Sequence, residues 1–91
     1  MRVNLPDNIS GAVETYYSKI ELSTKDIENM FACSRSTAQK LKDMARKLMR
    51  EEERMPFNKA NVLTDVAFRA WSIDIDDLEK RLKKLTKFFG G

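Results

Sequence analysis

The chain reads as an all-α domain of about five helices, and three observations lead there. Apolar residues recur at steps of three and four through successive stretches, the period of a helix with one buried face. Serine, asparagine or aspartate stands just ahead of several of these stretches, where its side chain can accept from the open amides of a first turn. No segment establishes a strand, since Arg2-Val3-Asn4-Leu5 alternates over only four residues. With 91 residues, the length suits one domain over 1–91, without repeats or low-complexity tracts. Such a domain buries only about 60 to 65 per cent of its unfolded surface, so a dimer contact would be a natural supplement.

Leu5-Pro6-Asp7-Asn8 is an entry turn into a first helix, on which Ile9, Val13, Tyr16 and Ile20 share a face. Gly11 lowers the stability of that helix by about 1 kcal/mol relative to alanine and leaves room for a close neighbour. Tyr17 points away from the stripe. Ser23 and Asp26 then form an S-x-x-D capping box, with Leu22 placed to staple onto Ile27. Ile27, Met30 and Phe31 continue at helical spacing until the pattern breaks at Ala32-Cys33-Ser34. Ser34 supplies a fresh N-cap, and Ala38, Leu41, Ala45 and Leu48 mark the buried edge of a longer helix. That helix is expected to run to Arg54, because Pro56 disfavours helical geometry at Met55.

Beyond Pro56 lies a helical extension over 58–89. Asn58-Lys59-Ala60-Asn61 is a turn, and Asn61 to Trp71 is expected to be a helix with Trp71 as a core anchor. A second turn at Ser72-Ile73-Asp74 precedes a last helix, whose first turn gathers Asp76 and Asp77 where acids suit the dipole. Ile75, Leu78, Leu82, Leu85 and Phe89 form a two-heptad seam. It suits either packing within the domain or a homodimer contact. Lys80, Arg81, Lys83, Lys84 and Lys87 lie outside it.

Charge is unevenly placed. Ser34 to Arg50 carries six basic residues and one acid, whereas residues 1–33 carry three basic and five acidic. One helix therefore holds the positive field, which says more than the overall +3. Its outer face presents Arg35, Ser36, Gln39 and Lys40, then Lys42, Arg46, Lys47 and Arg50. Arginine can pair bidentately with guanine and glutamine with adenine, while serine donates to base or phosphate. The cations further along suit phosphates, which give affinity without sequence choice. Glu51-Glu52-Glu53 would repel phosphate, so contact is expected to end near Arg50.

Residues 23–41, and Ser34-Arg35-Ser36-Thr37-Ala38 most clearly, resemble the helix-turn-helix of bacterial and phage transcriptional regulators. The resemblance implies a helix-turn-helix unit over 23–50, with the helix from Arg35 lying in the major groove of double-stranded DNA. Carried over by position, it implies base contacts from Arg35, Ser36, Gln39 and Lys40, with Asp43 beside them. Phosphate contacts fall to Ser34, Lys42, Arg46, Lys47 and Arg50. The family pattern has glycine in the turn and a small residue four before it. Here those positions hold Ala32 and Glu28, so a somewhat different turn and crossing are expected.

Composition narrows the alternatives. A hydrophobic fraction of 42% with 34% charged residues belongs to a folded chain, not a disordered one. There is no histidine, and Cys33 is the only cysteine, so the commonest base, metal ligand and disulfide are all missing. The three glycines form no phosphate-cradling loop. An enzyme, a metal or a cofactor is not expected. No apolar run has membrane-span length and no leader is visible, so a cytoplasmic protein is expected. Two further functions remain open: a helical adaptor or assembly protein, such as a phage packaging component, and an architectural or recombination accessory factor.

Overall fold

A computed structural model describes residues 5–89, with side chains described as far as residue 85. Five helices and one small sheet follow in the order α1 (Ile9–Ser18), β1 (Glu21–Leu22), α2 (Thr24–Phe31), α3 (Arg35–Glu51), β2 (Val62–Leu63), α4 (Thr64–Ala70) and α5 (Ile75–Phe89). The fold is all-α in character, and the turn between α2 and α3 is the expected Ala32-Cys33-Ser34. Among the described residues, no helix is long and apolar enough to cross a membrane.

Local chemistry accounts for the helix starts. Asn8 caps α1 by accepting from the Gly11 amide at 3.0 Å, and a Cβ on Gly11 would lie 2.2 Å from the Asn8 amide nitrogen. A side chain at Gly11 would push the Asn8 amide group out of its capping position. The Ser23 hydroxyl accepts from the Asp26 amide while the Asp26 carboxylate accepts from the Ser23 amide, completing the capping box. Ser34 Oγ accepts from the Thr37 amide at 3.3 Å to open α3. Asp74 accepts from the Asp76 amide to open α5.

Three helix ends share an unusual feature. Ala32, Glu53 and Ser72 all occupy the left-handed region, at φ 47, 55 and 57. Each sits where glycine usually stands after a helix, with the next amide donating back five residues: Cys33 to Glu28, Arg54 to Met49, Ile73 to Phe68. Ala32 thus adopts the backbone its Cβ was expected to resist, because the carbonyls of α2 gain partners by it. Left-handed geometry costs a non-glycine residue about 1 kcal/mol. Ala32→Gly should therefore raise stability by about 1 kcal/mol or slightly less, read as a higher urea midpoint at unchanged slope. An unchanged or lower midpoint would mean the turn carries no such strain.

The observed elements depart from the expected ones in four places. α1 ends at Ser18, leaving Ile20 74% exposed rather than on the buried stripe. The following residues are instead drawn into an antiparallel pair, Glu21 opposite Leu63 and Leu22 opposite Val62. That pairing takes Asn61 to Leu63 out of the expected helix, so α4 starts at Thr64, whose amide donates to the Ile20 carbonyl. α3 stops at Glu51, three residues before Arg54, because Glu53 turns left-handed. On its inner face Met49 is fully buried, and Leu48 only partly.

The core is built across helices by aromatic rings. Trp71 meets Phe31 edge-on at 5.3 Å and Phe68 at 5.9 Å, and Phe68 continues to Tyr16 at 4.9 Å. Trp71 is 1% exposed and its indole N–H donates to the Leu41 carbonyl at 2.8 Å, so one residue ties α2, α3 and α4 together. α5 packs against α1, where the Tyr17 hydroxyl donates to the Glu79 carboxylate and is pushed up to about 12, that hydrogen bond being the main cause. The α5 seam is divided: Leu78 is fully buried, Ile75 and Leu82 partly so, and Leu85 is 43% exposed. The Phe89 and Lys87 side chains, and Arg2-Val3-Asn4, lie outside the described residues.

Candidate nucleic-acid interface

α3 is held by its inner face, and this sets what it offers to solvent. Ala38, Leu41, Ala45 and Met49 are buried, while Ser36, Lys40, Asp43, Lys47 and Arg50 recur at helical spacing on the opposite side, all exposed. Arg35 and Gln39 are exposed along one edge of that face. On one flank, Lys40 and Lys47 border an open groove shared with Arg69 and Ala70 of α4. Ser34 is exposed, but its hydroxyl is engaged in capping, accepting from the Thr37 amide and donating to the Thr37 hydroxyl.

Two cations expected on phosphates stand elsewhere. Lys42 is only 5% exposed, and its ammonium donates to Thr24 Oγ1 at the start of α2, 3.0 Å away. Burial lowers its pKa, with repulsion from Arg46 and Arg35 adding to the effect. Lys42 therefore braces the two helices and does not face outward. Its position borders the buried edge of α3, which sequence spacing alone placed on the basic side. Arg46 is half-buried and donates to the Lys59 and Ala60 carbonyls at 3.3 and 3.4 Å, with Asp43 at 4.0 Å. The outward cations of α3 are thus Arg35, Lys40, Lys47 and Arg50.

The Arg46 contact belongs to a feature absent from the sequence reading. The segment from Arg54 to Ala60 is clamped on both flanks. Glu21 in β1 accepts from the Phe57 amide at 2.6 Å, the Asn58 amide at 3.2 Å and the Asn61 side chain at 3.3 Å. Within this segment, Met55 is 76% exposed and Phe57 96% exposed. Arg46, Arg50, Arg54, Met55, Pro56 and Lys59 line a shallow depression of about 200 Å³ beside them. The only sequence signal was an apolar Met55-Pro56-Phe57 run between basic residues, which a buried turn would show equally.

The clamp gives a pH dependence with a definite sign. The Phe57 amide, followed by Asn58 and Asn61, holds the Glu21 carboxyl below its ordinary 4.5 despite some desolvation. The folded protein therefore releases this proton at lower pH than the unfolded chain. Its contribution is complete above about 4.5 and is lost as pH falls through the lower folded value. Glu21→Gln should flatten part of the acid limb of stability against pH, measured by urea melts between neutrality and pH 3. An acid limb identical to that of the parent would exclude the clamp.

Several other charged groups among the described residues are held in ion pairs. Glu52 pairs with Arg69 through two hydrogen bonds, 2.5 and 2.7 Å, and Arg54 with Asp65 at 2.7 Å. Cys33 is half-buried, and burial followed by the Glu28 charge pushes its thiol up. Among the described residues, no group of three or more potential ligands could hold a metal ion. Comparison of the chain with protein-family models, curated proteins and solved structures gives no match.

Proposed function

We propose that this protein binds double-stranded DNA with sequence preference, as a small transcriptional regulator of the helix-turn-helix kind, by laying the N-terminal half of α3 in the major groove. The observation that carries this reading is the open outer face of α3. Arg35, Ser36, Gln39 and Lys40 are exposed together at the start of a helix whose other side is locked into the core. A rigid helix with fork-shaped and amide donors at one end suits base edges, and its later cations suit phosphates. Arg35, Ser36 and Gln39 are assigned to bases, with Lys40 at the boundary, and Lys47 and Arg50 to phosphates. Lys42 is withdrawn from the set, and Arg46 contributes by holding the loop.

Selection from a pool of random duplexes, repeated at two salt concentrations, tests this reading. Enrichment of one short motif, with affinity falling steeply as salt rises, is the expected result. Binding without enrichment would favour an architectural role. Absence of binding would turn the scaffold towards the adaptor alternative.

A further inference from the structure

We propose that the clamped loop from Arg54 to Ala60 is a wedge that enters the minor groove of the same duplex, with Phe57 inserted between base steps and the DNA bent as a result. The inference rests on the DNA-binding reading and adds to it a second contact and a consequence for the shape of the duplex.

The state of Phe57 comes first. A phenylalanine left in water forgoes about 1.5 to 3 kcal/mol that burial would supply, and Phe57 is 96% exposed. The ring is not outside for want of order in the loop. Its own amide and that of Asn58 are tied to the Glu21 carboxylate, and the Lys59 and Ala60 carbonyls are tied to Arg46. Folding the ring inward would sacrifice those bonds. An apolar side chain held outward on a fixed backbone has already lost the loop entropy that docking would otherwise cost.

The chemistry around the ring selects the partner. Met55-Pro56-Phe57 are three consecutive residues of the types that serve as wedges between base steps. Arg46, Arg50, Arg54 and Lys59 surround the depression next to them. Glu21 has both oxygens occupied by the loop itself, and Arg54 is paired with Asp65, which leaves Arg50 and Lys59 without an ion pair among the described residues. Arg50 belongs both to the exposed face of α3 and to this depression, so the wedge adjoins the proposed phosphate contacts. The grooves of B-form DNA are about 12 and 6 Å wide. The domain is 24 Å across its short axes, enough to reach the neighbouring minor groove while α3 occupies the major one.

The test uses the full chain and a duplex of about 30 base pairs, of mixed sequence with central TA steps, carrying a donor and an acceptor dye at its ends. Anisotropy reports binding and energy transfer reports bending. The parent protein should bind and raise the transfer. Phe57→Ser should bind about tenfold more weakly and, at saturation, leave the transfer at its free-duplex value. Lys47→Ala should bind more weakly too, yet bend the duplex as the parent does once saturated. Phe57→Trp supplies a direct reading, because its added emission should be quenched on binding.

Any one of several results would overturn the wedge. Parent binding without a change in transfer, or Phe57→Ser matching the parent in affinity and bend, would each remove it while leaving DNA binding intact. Loss in Phe57→Ser of binding to phosphatidylglycerol vesicles, or of self-association, with the bend unaltered would assign the loop to lipid or to a second copy. Absence of duplex binding by the parent would remove the inference together with the function it rests on.

Discussion

Trp71→Ala is expected to cost about 3 to 5 kcal/mol of folding stability, the range for emptying a buried aromatic site. The ring is 1% exposed and meets Phe31 of α2 and Phe68 of α4, while its N–H donates to the Leu41 carbonyl of α3. Its removal leaves a cavity where three helices converge, and none can move in to fill it without disturbing another. A domain of this length has on the order of 5 to 14 kcal/mol in total, so the variant should be substantially destabilised and unfolded at modest urea. Trp71→Phe keeps most of the packing but loses the N–H donor, and should cost about 1 to 2 kcal/mol. Circular dichroism is the appropriate probe, because Trp71 is the only tryptophan. A Trp71→Ala midpoint close to that of the parent would mean the aromatic junction does not hold α2, α3 and α4 in place.

The second large effect is on recognition. If α3 lies in the major groove as proposed, Arg35→Ala should lose about 1 to 3 kcal/mol of discrimination at one base pair while retaining most of its affinity for unrelated duplexes. The guanidinium is exposed at the first residue of the helix and makes no ion pair among the described residues, so nothing in the fold depends on it. Lys47→Ala should behave differently. Three turns further along, it is assigned to phosphate, and its removal should weaken binding to all sequences and reduce the slope of log affinity against log salt by about one unit. Titrations of both variants against the selected duplex and a scrambled one, at two salt concentrations, separate the two roles. Equal losses on both duplexes from both substitutions would contradict the division between base and phosphate.

Elements set by neighbours in the chain are legible in the sequence alone. The Ser23–Asp26 box, the Ser34 cap, the turn at 32–34 and the start of α5 at Ile75 all depend on groups within five residues of each other. The spacing of Ala38, Leu41 and Ala45 likewise places one face of α3 inward. Four expectations failed, three of them because of contacts made across the fold, and the end of α3 because Glu53 closes it locally. Ile20 left its helix face, Asn61 left its helix, Lys42 turned inward and α3 stopped at Glu51. In the first two, the 21–22 and 62–63 segments formed a sheet across forty residues of chain. For Lys42, a flank that helical spacing assigned to the basic side lies against Thr24 once α2 crosses it.

Short-range hydrogen bonds and the helical period were enough to specify where most helices begin and which of their sides are apolar, because those free energies are local. The loop at 54–60 is a different case. Its course is governed by Glu21 and Arg46, which are 36 and 13 residues distant along the chain from the groups they hold. Phe57 is kept in water by bonds that no window of neighbouring residues contains, and its outward position exists only once the helices have packed.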